Sequence, residues 1–111
     1  MNGFIEQYKY STTETKTGET WIDGKPIYRK SFSGTSIPSD NIIGYVTDCD
    51  EVVSILGAIK NANDGNWLPV SYSGQIYCLV RQNLNNQVYL NGGEYLSSKY
   101  RITVEYTKTT N

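Results

Sequence analysis

Tyr100-Arg101-Ile102-Thr103-Val104-Glu105-Tyr106-Thr107 alternates without a break. Ile102, Val104 and Tyr106 fall on one side; Arg101, Thr103, Glu105 and Thr107 fall on the other. A strand points successive side chains to opposite faces, so this stretch reads as a half-buried β-strand. Gln75 to Gln82 repeats the pattern, with Ile76, Cys78 and Val80 opposite Tyr77 and Leu79. Gln87 to Leu90 adds a short strand with Val88 and Leu90 inward, after a turn at Asn83 to Asn86. Val52 to Lys60 fits either a helical or a strand face, but its β-branched residues and Gly57 favour a strand, after one helical turn at Asp50.

Toward the N-terminus, Glu19-Thr20-Trp21-Ile22 and Lys25 to Ser33 flank Asp23-Gly24. Two β-prone runs around Asp-Gly predict a hairpin, and Pro26 places its second strand near a sheet edge. Six to eight short strands separated by turns predict an all-β fold, an antiparallel β-sandwich of jelly-roll or Greek-key type. The expected core is Trp21, Ile27, Ile43, Val46, Val53, Ile55, Ile59, Ile76, Cys78, Val80, Val88, Leu90, Ile102 and Val104. Residues 10–111 are expected to form one domain, with residues 1–9 a flexible lead-in or the end of a linker.

Composition agrees. The 111 residues include ten Tyr and ten Gly, with few alanines, and a net charge of −1. Tyr, Thr, Ile and Val suit a pleated, half-buried surface. No clustered Lys and Arg are available to neutralise phosphates, which argues against nucleic acid. No apolar run is long enough for a membrane-spanning helix, and Met1 to Glu6 lacks a signal-peptide pattern, so synthesis in the cytosol is expected. Cys49 and Cys78 are then expected to be free thiols.

The sequence contains no His, which removes Ser-His-Asp and Cys-His arrangements and His-based metal sites. Cys49 lies between Asp48 and Asp50, where negative charge opposes thiolate formation. Asp48, Asp50 and Glu51 invite a calcium reading with Asn41, but without a full loop motif a solvated turn with Asp50 as a cap is preferred. A glycan-degrading module would need two carboxylates across a cleft, and sequence pairs neither Glu94 with Glu105 nor Glu19 with Asp23. The expectation is a non-enzyme without cofactor or metal.

Trp21-Ile22-Asp23-Gly24-Lys25-Pro26-Ile27-Tyr28-Arg29-Lys30 is a distinctive string, as is Ile102-Thr103-Val104-Glu105-Tyr106-Thr107-Lys108-Thr109-Thr110. With Tyr10-Ser11-Thr12, they resemble a C-terminal domain of bacteriophage or prophage tail-fibre, head-fibre and baseplate structural proteins. Gly65-Asn66-Trp67-Leu68-Pro69 is similar to that family's "GxWxPL" segment, whereas Asn111 stands where the family ends in Asp. The resemblance implies a virion location, contacts with other virion proteins, and a homo-oligomer, with a trimer favoured. It also implies attachment to a host-surface glycan or protein, and no catalytic residues. The alternative is a structural capsid or tail docking domain with no host ligand.

Tyr8, Tyr10, Tyr28, Tyr45, Tyr72, Tyr77, Tyr89, Tyr95, Tyr100 and Tyr106 exceed what a small core absorbs, so some are expected to form a binding face. The loops Ser36–Asn41, Asn61–Asn66, Ser71–Gly74 and Asn91–Ser97 are the expected recognition sites, since loops vary without disturbing a core. Trp67, Tyr72 and Tyr95 are the candidate ligand-binding residues.

Overall fold

A computed structural model describes residues 10–95 and 98–110. Eight strands run β1 (Thr15–Thr20), β2 (Pro26–Gly34), β3 (Ile42–Tyr45), β4 (Cys49–Lys60), β5 (Trp67–Pro69), β6 (Tyr77–Arg81), β7 (Gln87–Asn91) and β8 (Lys99–Lys108). They form an antiparallel β-sandwich: a five-stranded sheet in the order β1-β2-β8-β4-β5 packs on a three-stranded sheet in the order β3-β7-β6. The chain crosses between sheets repeatedly, and the last strand enters the middle of the larger one. The proposed lead-in at residues 1–9 lies outside the described residues.

β8 reads as its alternation requires. Tyr100, Ile102, Val104 and Tyr106 are buried, while Thr103 and Glu105 face outward between β2 and β4. The opposite sheet brings Cys78, Val88 and Leu90 to the same core, which also holds Ile59, Ile76 and Val46. Each such apolar side chain contributes about 1.5–3 kcal/mol by leaving water.

Near the end of β8 the Tyr106 hydroxyl donates to the Glu14 carboxylate, whose other oxygen pairs with Lys108 Nζ at 2.6 Å. The Lys108 ammonium sits 4.5 Å from the centre of the Tyr28 ring. Burial and the facing carboxylate push the Tyr106 phenol well above its ordinary range.

Several expectations need correction. Trp21 and Ile22 do not belong to a strand: they form the turn itself, closed by Gly24 N–H to Trp21 O (2.9 Å) and Trp21 N–H to Lys25 O (2.8 Å). β1 lies earlier because the Thr17 hydroxyl, donating to Ile27 O, and Gly18 at φ 90° build a bulge there. Trp21 therefore lies outside the core, with its indole N–H on Glu51 at 3.1 Å. Val53 sits in a bulge of β4 and is only half-buried. Asp50 lies within β4, so no helical turn precedes it; Thr107, buried on β8, takes the Glu51 N–H instead. The core also includes Phe32, Ile37, Cys49, Tyr100 and Tyr106. Ile37 comes from a loop, which no strand pattern reveals.

Candidate functional site

The outer face of the five-stranded sheet is set by register. Ser31 and Ser33 on β2 stand opposite Thr103 and Arg101 on β8, which in turn face Leu56 and Ala58 on β4. Farther out, Ala58 faces Pro69 and Lys60 faces Trp67, so the edge strand β5 presents Trp67 on this same face. A groove of about 330 Å³ runs between Tyr10, Ser31, Ser33, Arg101 and Thr103. A second depression of about 230 Å³ continues it past Leu56, again bounded by Tyr10, Arg101 and Thr103.

The groove combines three chemistries. Ser31 and Thr103 share a hydroxyl–hydroxyl bond of 2.8 Å and keep acceptor capacity. Tyr10 is 66% exposed and its ring lies 4.6 Å over the Arg29 guanidinium, which is itself paired with Glu105 at 2.8 Å. Arg101 donates to the Tyr100 carbonyl at 2.7 Å and has no carboxylate partner among the described residues. An apolar wall comes from Leu56, 59% exposed, and Trp67, 47% exposed, stands farther out on the same sheet face without lining either depression.

The three nominated ligand residues are dispersed. Trp67 stands on the outer sheet face. Tyr72 is exposed in a short 3-10 turn, Tyr72–Gly74, that follows a left-handed Ser71 at φ 84°. Tyr95 is half-buried and packs against the core, its carbonyl accepting from Ser98 Oγ at 2.6 Å. No groove or hydrogen bond among the described residues brings the three together. Of the nominated loops, Asn61–Asn66 is an exposed tip shaped by side-chain turns at Asn61 and Asp64, whereas Ser36–Asn41 anchors Ile37 in the core. Leu96 and Ser97, in the fourth loop, lie outside the described residues.

The carboxylates regroup. Asn41 donates to the Leu90 carbonyl, away from the acidic turn, and Asp48 is bound at 2.6 Å by each of the Thr109 and Thr110 hydroxyls, which hold its pKa down. Asp50 and Glu51 instead approach Asp23, with carboxylate oxygens within 4.8 Å. The cation among them is the protein's own: Lys25 Nζ contacts Asp50 at 2.8 Å and the Lys108 carbonyl at 3.2 Å. Asp48→Ala should release the end of the chain, seen as faster hydrogen exchange at the Thr109 amide, which bonds the Asp48 carbonyl. Unchanged protection there would show that the backbone bond alone holds the tail.

Cys49 and Cys78 are both free and buried. Burial raises the Cys49 thiol to about 11, helped by Asp50, and the Cys78 thiol to about 12. Both are thus protonated at neutral pH. Sequence reasoning missed Arg101, Leu56 and Tyr10 as a group. The only signal was that Arg101 and Thr103 lie on the polar side of a central strand, which does not say what lies beside them. No protein-family model, curated protein or solved structure matches the chain.

Proposed function

We propose that the chain is a structural domain of a phage virion, from a fibre or baseplate protein, that assembles with copies of itself and attaches to the host surface. The carrying observation is the groove on the outer face of the five-stranded sheet, where an aromatic ring, hydroxyls and the Arg101 guanidinium, without a carboxylate partner among the described residues, share one open surface. Hydroxyls and a guanidinium offer directional bonds to a polar ligand, and rings offer flat apolar contact. The strings Trp21–Lys30 and Ile102–Thr110 support the virion location through their resemblance to phage structural proteins.

The test is binding of the purified chain to host cells and to a glycan array. Arg101→Gln should weaken retention about tenfold or more, as for a central contact of a small site, and Trp67→Ala, farther out on the same face, by less, while the far-ultraviolet spectrum stays unchanged. Wild-type chain that binds neither cells nor glycans would overturn the attachment half and leave a docking domain. Release of reducing ends from host polysaccharide would replace the reading with a degrading module.

A further inference from the structure

An exposed edge strand invites another strand, and proteins usually blunt such edges with bulges, proline, charge or shortness. Three of the four sheet edges here are blunted. β1 carries a register shift, Gly18, Lys16 and Glu19. β5 has three residues and ends in Pro69. β3 has four residues, contains Gly44 and shifts register against β7.

β6 has none of these devices except a single charge at its end. Tyr77-Cys78-Leu79-Val80-Arg81 pairs with β7 at every step, from Tyr77 opposite Asn91 to Arg81 opposite Gln87. It contains no glycine or proline, and its one charge is at the end. Among the described residues, no backbone group of residues 77–80 bonds to anything outside β7, while Arg81 caps the 3-10 turn Gln82–Leu84 that follows. Two of its three outward side chains are apolar or aromatic, Tyr77 at 36% and Leu79 at 43% exposed, and the third is the terminal Arg81.

We propose that β6 is a self-pairing edge, by which two copies of the chain join their three-stranded sheets across a two-fold axis. The strand is complementary to itself in the antiparallel sense. Centred on Leu79, the pairing sets Leu79 against the partner's Leu79, and Tyr77 against the partner's Arg81. Cys78 meets the partner's Val80 on the core side. Arg81 already lies over the Tyr89 ring at 3.8 Å, with Tyr77 beside that ring at 6.3 Å between centroids. A second tyrosine would thus meet a guanidinium that is already held against an aromatic. The parallel in-register alternative would oppose Arg81 to itself, a like-charge pair. An isologous contact of this kind closes at two copies. The assignment names the partner in the assembly half of the proposed function; the attachment half does not depend on it.

Sedimentation velocity from micromolar to millimolar chain, with hydrogen exchange of the 77–81 amides, tests the edge. The expected result is a dimer whose exchange slows in that strand as concentration rises. Leu79→Lys should weaken it at least about tenfold, because two ammonium groups then face each other. Leu56→Lys, on the other sheet's outer face, should leave it intact. Tyr77→Glu, facing the partner's Arg81, should tighten the dimer or leave it unchanged, whereas Tyr77→Arg should loosen it. Far-ultraviolet spectra and melts confirm that each variant is folded, since these side chains point outward. A larger assembly indifferent to Leu79→Lys would overturn the β6 edge but keep self-assembly. A strict monomer that still binds cells would also overturn the edge, and with it self-assembly, while leaving attachment standing. Equal shifts from Tyr77→Glu and Tyr77→Arg would overturn the register.

Discussion

Gly57→Ala is expected to destabilise the domain by about 4 kcal/mol, the sum of backbone strain and overpacking of the core. Gly57 lies on β4 directly opposite Ile102 of the central strand β8. Its φ of 150° is a conformation that residues with a side chain rarely adopt. A Cβ there would strike the Arg101 carbonyl and come to 2.9 Å from Ile102 Cα. Neither is the far end of a flexible side chain; both are backbone, in the middle of the larger sheet. The Gly57 carbonyl also accepts the Val70 N–H at 3.0 Å, so yielding at this point would disturb the return of the chain after β5. Gly24→Ala is the control. Gly24 has φ 88° in the β1–β2 turn, but no atom lies within 4 Å of its would-be Cβ. That change should cost only the left-handed conformation, about 1 kcal/mol. Urea midpoints of the two variants measure the difference, and equal losses would mean that contact at Gly57 is relieved by small shifts.

Alkali should destabilise the domain, and the cause lies in three buried protonated groups. Cys78 ionises near 9.0 when free and at about 12 when folded. Cys49 rises from the same value to about 11, and Tyr106 is raised from 10.0. A raised folded pKa means that the folded state holds its proton more tightly. The associated stability is fully present below the unfolded pKa and is lost as pH climbs through the folded one. Stability should therefore be level up to about pH 9.0 and fall between 9.0 and about 12. The slope is about 1.4 kcal/mol per pH unit for each group that ionises only on unfolding. Cys78→Ala should lower stability at neutral pH through a small cavity yet flatten the alkaline slope. An unchanged slope would show that this thiol ionises as freely folded as unfolded.

The two sites differ in how far the residues announce them. That Tyr77 and Leu79 point away from Cys78 and Val80 follows from alternation alone, and the structure bears it out. That β6 is an edge does not follow, because alternation is the same for edge and central strands. The groove was less legible still. Tyr10, Leu56 and Arg101 are far apart in the chain and become neighbours only because β8 inserts between β2 and β4. Trp67 and Tyr72 attracted notice as aromatics in loops, yet the residues around Trp67 on the outer face are set by its pairing with Lys60.

The stretch from Tyr100 to Thr107 shows where the line runs. A two-residue period written locally suffices to make this a strand and to send Ile102 and Val104 inward and Arg101, Thr103 and Glu105 outward, but not to bury Thr107, which the alternation places on the outer side. The sequence by itself likewise determined the β class, through turn residues and β-branched and aromatic content. Tertiary pairing alone makes this strand the centre of the larger sheet, brings Arg101 and Thr103 to the floor of a groove, and leaves β6, among the described residues, the edge strand with the fewest blunting devices. Strand order depends on which distant partners bury the most apolar surface together, a property of the whole chain at once.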